Sequence, residues 1–525
     1  MKRHVTPPVD QARDHRRVHY PAAVGRRDLG REGRAPHAVV VGAGIAGLAA
    51  ATGLAERGFR VEVVERERYL GGRVGGWTQQ LDDGTPVGMN RGFHAFFAQY
   101  YNLRKLLARS NTRLLRLSDY PLVDDQGRRD TFRGLPRTPP WNALAFALRS
   151  PTFRLRDLLR MDPRAAAPLA TVSVPGIFDR LDHLDAETFL RAINFPDAAR
   201  HLAFEVFSRS FFIEPGRMSA AELAMMFHIY FLGSSEGLFF DVARDNFDVG
   251  LWSPLAEYLC GTGVSSRPGR AEFHTGVTIE RIEPRGAGFR VIDDNDAAVD
   301  TDAVILATDV GGLKRLVSAS PELGNTEWRS RVSELATAPS FAVQRLWLDR
   351  PVRADRPSFL GTGNLDPLDN ISVVHRYEKQ AAAWAARTGG SVVELHAYAV
   401  HDSTAVRADT EKRLLERLHE IYSETAPARI VGQTTLWRQD CPRFAPGDFA
   451  RRPGVMTPHP QLVLAGDGIR VDLPVALMER AATTGWIAAN TLLARWGAAG
   501  HDLHTVPAQG RSWALRTLAT RGRTL

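Results

Sequence analysis

The sequence predicts an α/β protein: a discontinuous Rossmann-like dinucleotide-binding domain joined to a second, substrate domain of mixed sheet plus helices. Three observations carry this. Residues 37–74 read in order as strand, glycine-rich turn, helix, strand and acid. The short apolar run Asp302-Ala303-Val304-Ile305-Leu306-Ala307-Thr308 reads as a buried parallel strand far downstream. A second such run, Leu462-Val463-Leu464-Ala465, ends in Gly466-Asp467 and precedes another helix pattern.

In the opening unit the residue types dictate the chemistry. The run Val39-Val40-Val41 favours a strand. Gly42, Gly44 and Gly47 follow in G-x-G-x-x-G spacing. The first glycine allows a tight turn, the second lets a pyrophosphate approach bare backbone, and the third lets a helix pack closely on the sheet. Ile45 and Ala46 begin that helix, where free N–H groups and the positive end of the dipole attract phosphate. Ile45, Leu48, Ala51, Leu54 and Ala55 share one of its faces, and Gly58 ends it. Val61 to Val64 form the next strand, and Glu65, 18 residues past Gly47, is spaced to accept from ribose hydroxyls.

Length and composition bound the rest. A chain of 525 residues predicts two or three domains. Its 44% apolar and 24% charged content is that of an ordinary globular protein. No run approaches the roughly 18 apolar residues that span a bilayer. The N-terminus offers no apolar core of a secretory signal, which predicts a cytoplasmic protein. Cys260 and Cys441 are too few and too scattered for a disulfide framework or a metal site, so no metal is expected. The net charge of +8 sits at the ends: residues 1–37 carry +5, residues 506–525 carry +4, and the body nets −1. A near-neutral body argues against nucleic acid as a partner.

Along the chain, residues 1–36 lack periodicity and read as a disordered basic extension, and residues 496–525 as a basic tail. The nucleotide domain takes in 37–103, 251–340 and 441–495. The substrate domain takes in 104–250, an apolar helical cap, and 341–440, with strands from Phe341 to Leu348 and from Ser391 to His396. The cap is rich in aromatics: Phe204, Phe207, Phe211, Phe212, Phe227, Tyr230, Phe231, Phe239 and Phe240 pack as a core or line a long apolar cavity. Residues 142–161 mix apolar residues with Arg149, Arg154, Arg156 and Arg160, broken by Pro151. They read either as a membrane-interface element or as a pair of surface helices. The last helix is expected to begin near Pro474.

Gly71-Gly72-Arg73, just past Glu65, extends the opening signature into one that resembles the FAD-binding pattern of the amine oxidase and carotenoid desaturase superfamily. Three further segments carry the resemblance: Gly92-Phe93-His94-Ala95-Phe96-Phe97 with Tyr100 and Tyr101, Ser219-Ala220-Ala221-Glu222, and AGDGIRVDLPVALMERAATTG at 465–485. Together they are similar to the carotenoid desaturases, and within them to the isorenieratene synthase type, over about residues 37–495. Gly468 departs from the pattern, which has an aromatic there.

The resemblance implies FAD as cofactor. Arg73 would lie near its phosphates, and Asp467 with Gly466 would meet the ribityl chain. The helix start at Val475 and Ala476 would face the pyrimidine end, with Arg66 and Val277 completing the set. It also implies a hydrophobic carotenoid substrate and conversion of the β-ionone rings of β-carotene to aromatic rings with an intramolecular methyl shift; residues 142–161 and the basic tails predict peripheral contact with the inner face of the cell membrane. Phe96, Phe97, Tyr100 and Tyr101 are candidates to stabilise a cation by their ring faces. His94 is the candidate proton acceptor, its alternative being a loop histidine bound to backbone. Desaturation of linear carotenes, a flavin amine oxidase, and a flavoprotein without catalysis stay open as alternatives.

Overall fold

The computed structural model describes residues 13–31, 35–110, 112–153, 160–162, 164–199, 209–261, 271–401 and 403–510, together with Trp513 and Thr517. Five strands form an all-parallel sheet in the order Ala271–Thr275, Arg60–Glu65, His37–Val41, Ala303–Leu306, Leu462–Leu464. The two downstream apolar runs thus complete the sheet begun at residue 37. The central strands are buried throughout, as expected of parallel strands covered on both faces.

The helix Ile45–Ala55 departs from the one-sided pattern read in the sequence: all eleven of its residues are buried. The helix Leu477–Arg495 covers the side away from the sheet. Small residues permit this approach. A Cβ on Gly485 would stand 2.2 Å from the Ala46 carbonyl oxygen, and one on Gly53 would stand 2.7 Å from Ala489 Cβ. The last helix begins at Leu477, three residues later than expected, because Val475 closes a tight turn onto the Leu473 carbonyl (2.8 Å).

A seven-stranded mixed sheet faces this unit, in the order Ile430–Arg438, Ser340–Leu348, Ser391–Val400, Asn370–Val373, Phe359–Gly363, Leu122–Asp124, Arg129–Asp130. The helix Thr404–Ile421 covers one of its faces through Leu414 and Leu418. The helices Gly176–Leu181, Ala186–Ala192 and Ala220–Phe227 build the cap, with Ile177, Phe189, Phe211 and Met226 in one apolar cluster. Phe204 and Phe207 lie outside the described residues.

A buried triad ties the cap to the nucleotide unit. Glu222 accepts from Arg452 Nη2 (2.7 Å) through one oxygen and from Arg480 Nη2 (2.8 Å) through the other. All three side chains are at most 4% exposed. Burial opposes the charge on Glu222, but Arg480 and Arg452 outweigh it and hold the carboxyl below its usual range. Arg480 also donates to the Val475 carbonyl (3.0 Å), which fixes the turn before the last helix.

The chain ends depart from the expected disorder. Val18–Tyr20 pairs antiparallel with Leu503–Thr505, and the backbone of Asp14 donates to the Glu236 carboxylate. The ladder is completed from the far end of the chain, a signal no local pattern carries. Residues 1–12 and most of the residues beyond 510 lie outside the described residues. Among the described residues no helix is long and apolar enough to cross a membrane.

Candidate active site

A cavity of about 390 Å³ runs between the two units, from the glycine loop after residue 41 to the inner face of the seven-stranded sheet. That volume falls in the range of small-molecule and cofactor sites. At its nucleotide end the backbone of Gly42 and Gly44, the first residues Ile45 and Ala46 of the helix, Glu65, Arg66, Gly72, Arg73 and Val277 all line it. Gly47 lies beneath the loop, where a Cβ would fall 1.9 Å from the Gly42 carbonyl oxygen. Gly44 has the opposite environment, with nothing within 4 Å of the position its Cβ would take.

Glu65 is held by its own backbone surroundings: one oxygen accepts from Ala43 N–H (2.7 Å), the other from Glu67 N–H (2.9 Å). Burial pushes its carboxyl above the ordinary value, and those two N–H bonds work against the shift. Arg66 pairs with Asp309, which caps the helix Val310–Ala319. Val277 donates its N–H to the Glu65 carbonyl (3.0 Å). Arg73 and Asp467, 394 residues apart, meet in a bidentate pair, Nη1 to Oδ2 at 2.9 Å and Nη2 to Oδ1. Gly466 sits beside them on the cavity wall.

These residues fit FAD. The wall offers bare backbone at Gly44, a helix start at Ile45, and charged groups of both signs. The Thr308 hydroxyl is buried on the same wall with no protein partner, as befits a wall shaped for a polar guest.

One expectation about the far end is corrected. Val475 and Ala476 are buried in the turn, and Leu477, Met478 and Ala481 line the cavity in their place. Leu477, on the cavity wall, has φ 53°, a left-handed value that is costly for a leucine. At Gly468, where the resembling pattern has an aromatic, a Cβ would stand 3.2 Å from Pro442 Cβ, so a side chain there would require Pro442 to shift.

The aromatic segment separates by strand alternation. In Phe96–Phe97, Phe96 turns inward, is fully buried against Phe247, and does not reach the cavity. Its candidacy as a cavity residue therefore fails, while Phe93 and Phe97 line the wall. Tyr101 likewise turns away, and Tyr100 lines the cavity with its hydroxyl 2.8 Å from that of Tyr230. Tyr120, Phe212, Phe240, Phe341 and Phe359 complete an aromatic lining, Phe93 and Phe359 being 4.4 Å apart between centroids. Of the cap aromatics, Phe212 and Phe240 reach the cavity, and Phe211 and Phe231 pack in the core.

His94 lines the cavity and sits with Nδ1 3.0 Å from the Gly92 carbonyl. That contact requires Nδ1–H and leaves the Nε2 lone pair free of the proton. Burial lowers its pKa to about 4, so it is neutral at physiological pH and a weak base.

A polar cluster that the sequence reading missed lines the same cavity beside the Gly92–His94 segment: Arg209, Asp369, Asn370, His396 and Tyr398. Its signal lay in SVVELHAYAV, where Glu394, His396 and Tyr398 alternate with apolar residues on one face of a buried strand. Among the described residues no His, Cys, Asp and Glu group is arranged to hold a metal ion.

Comparison with known proteins agrees with this arrangement. Residues 45–493 match the family described as flavin containing amine oxidoreductase. A carotenoid phi-ring synthase of Streptomyces griseus is 54% identical over 510 residues, covering 97% of both chains. A zeta-carotene desaturase of Synechocystis is 27% identical over 87% of this chain and 96% of its own length. Among solved structures, a cyclohexylamine oxidase from Brevibacterium oxydans superposes with a TM-score of 0.62 over 88% of this chain and 100% of that one, at 14% identity, a likeness of fold. The chain therefore belongs to the flavin containing amine oxidoreductase family, in its carotenoid desaturase branch, as an FAD-dependent oxidoreductase.

Proposed function

We propose that this enzyme converts the β-ionone rings of β-carotene into aromatic rings, with one methyl group migrating within each ring. The observation that carries this reading is the 54% identity over 97% of the chain to a protein named for phi-ring synthesis. The aromatic cavity lining supports it, being suited to an apolar polyene rather than to a small polar amine.

Bound FAD supplies a two-electron acceptor. The chain's own residues do the rest. Gly42, Gly44, Ile45, Ala46 and Arg73 would hold the FAD phosphates by backbone N–H groups and charge, with Gly47 packing the helix beneath them. Glu65 would hold the ribose, with Arg66 and Val277 bordering that end, and Gly466 with Asp467 would meet the ribityl chain. Phe93, Phe97 and Tyr100 present ring faces to a cationic ring, an attraction of about 0.5–2 kcal/mol each where water is excluded. His94, with its Nε2 lone pair unprotonated, is one acceptor for the protons lost as each double bond forms.

The product decides the reading. Cells that accumulate β-carotene, once they express this chain, should contain carotenoids lighter by four hydrogens per ring, with methyl groups relocated on NMR. An unchanged pigment overturns the proposal, and desaturated linear carotenes alone would move the chain to that activity.

We further propose that the enzyme docks on the cytoplasmic face of the membrane that holds its substrate. The helix Trp141–Arg149 supports this. It ends just before Pro151, with Trp141, Leu144 and Leu148 exposed by 59%, 47% and 63% along one side. Exposed Arg133, Arg137 and Arg149 flank it, a distribution suited to anionic headgroups. Arg154 and Arg156 lie outside the described residues. Replacing the three apolar residues by serine should lower flotation with anionic vesicles roughly tenfold or more, given the apolar area each would bury. Undiminished flotation would reject the helix as the docking element.

A further inference from the structure

Each aromatisation must deliver protons from carbon to the protein, and a base with a pKa near 4, as at His94, is a poor sole acceptor. Next to it on the cavity wall stands a built alternative. Glu394 Oε2 is held by Arg345 (Nε 2.8 Å, Nη2 2.7 Å), while its Oε1 lies 2.8 Å from His396 Nε2. Burial works against the charge on Glu394, but Arg345 and His396 hold its pKa at about 2. An ionised carboxylate needs a donor, so Nε2 carries the proton and Nδ1 carries a lone pair. The Phe93 N–H also approaches Nε2, but at a weaker 3.3 Å, and it would require the tautomer that leaves Glu394 unserved.

Tyr398 Oη lies 2.6 Å from His396 Nδ1 and donates to it. Asn370 Nδ2 donates to the same oxygen at 3.2 Å. One lone pair of Tyr398 Oη is thus left over, on a residue that lines the cavity. Alternation along the strand puts Glu394, His396 and Tyr398 in one row, and the ladder slips by a residue beyond Tyr398, where Ala399 has φ 56°. Bulges of this kind re-aim side chains beside active sites.

We infer that Tyr398 is the group that takes the proton from the substrate ring, with His396 and Glu394 behind it as positioning residues that draw off the tyrosine's own proton. This rests on the ring-aromatising reading above. The ring C–H bond breaks and its electron pair forms the new C=C bond. The released proton goes to Tyr398 Oη as the Tyr398 O–H proton passes to His396 Nδ1. The imidazolium is then paired with the Glu394 carboxylate, and the positive charge of the substrate cation ends on His396. Burial keeps Tyr398 protonated at rest, so it accepts a proton only in concert with giving one up.

The test uses the FAD-loaded full chain with β-carotene in vesicles. Tyr398→Phe keeps the ring and its packing, so FAD content should match wild type. We expect kcat to fall by about 10²–10³-fold with KM within about twofold, the usual share of a general base. The wild-type solvent deuterium isotope effect on kcat should vanish in Tyr398→Phe and in His396→Gln, a change that a packing role would not produce. Wild-type kcat and isotope effect in Tyr398→Phe, or loss of the isotope effect in His94→Gln alone, would overturn the relay and leave the reaction assignment standing. A wild type that forms no aromatic ring overturns both.

Discussion

Gly47→Ala should yield protein without FAD and with sharply reduced folding yield, whereas Gly44→Ala, three residues away, should fold at wild-type stability and lose FAD affinity alone. The contrast follows from what each new Cβ meets. At residue 47 it would lie 1.9 Å from the Gly42 carbonyl oxygen and 3.0 Å from its carbon, both backbone atoms of a turn fixed by the sheet. Neither can rotate away, so the helix must move off the strand at a cost of at least ~3 kcal/mol, the upper part of the usual range for overpacking. At residue 44 the backbone is at φ −71°, which alanine adopts without strain, and the Cβ would point into open cavity. The space it takes is the space a phosphate needs, and a loss of at least tenfold in FAD affinity, ~1.4 kcal/mol, is expected. Thermal unfolding of the apoproteins together with flavin titration measures both. Equal stability of the two variants would contradict the packing argument.

Glu222→Ala should lower stability by about 3–5 kcal/mol, because it leaves two buried guanidinium groups without their carboxylate. At the unfolding entropy of a chain this size that corresponds to a fall of about 3–5 °C in Tm at a fixed scan rate. The damage should include the flavin end of the cavity, since Arg480 also fixes the turn through the Val475 carbonyl. Arg452 lies 4.8 and 5.3 Å from the ring centroids of Phe444 and Phe449, so part of its burial survives the loss of Glu222. Glu222→Gln, which keeps two acceptor lone pairs and no charge, should fall between wild type and alanine. A Tm within 2 °C of wild type for Glu222→Ala would show that the triad does not hold the cap.

The contrast between these two sites shows what a sequence can disclose. Gly42, Gly44 and Gly47 were legible because one short loop contains both the donors and the close packing that they need. The parallel strands at Ala303–Leu306 and Leu462–Leu464 were legible because burial on both faces leaves an unbroken apolar run. Glu222, Arg452 and Arg480 were not, since the partners stand 230 and 258 residues from the glutamate and no local pattern links them. Phe96 was misplaced for a related reason. Two adjacent aromatics on a strand face opposite ways, and which one meets the cavity depends on where Phe240–Ala243 pairs with them. The Glu394-His396-Tyr398 row was visible as polar residues in an apolar strand, but its meaning depended on Asn370 and Arg345 from neighbouring strands.

The order of strands in the parallel sheet also sets a schedule for synthesis. The strand His37–Val41 emerges from the ribosome early, and its neighbour's far partner, Leu462–Leu464, follows some 420 residues later. At roughly 5–20 residues per second, about 20–80 s separate the two. Through that interval the glycine loop exists without the Asp467 that faces Arg73, and for its last ~8–31 s the apolar strand Ala303–Leu306 waits with one edge unpaired. The Arg73–Asp467 pair at the flavin site thus forms only after the strand Leu462–Leu464 has been made. The nascent chain carries an aggregation-prone sheet edge, and slower growth or chaperone supply during expression acts on that interval rather than on the stability of the folded enzyme.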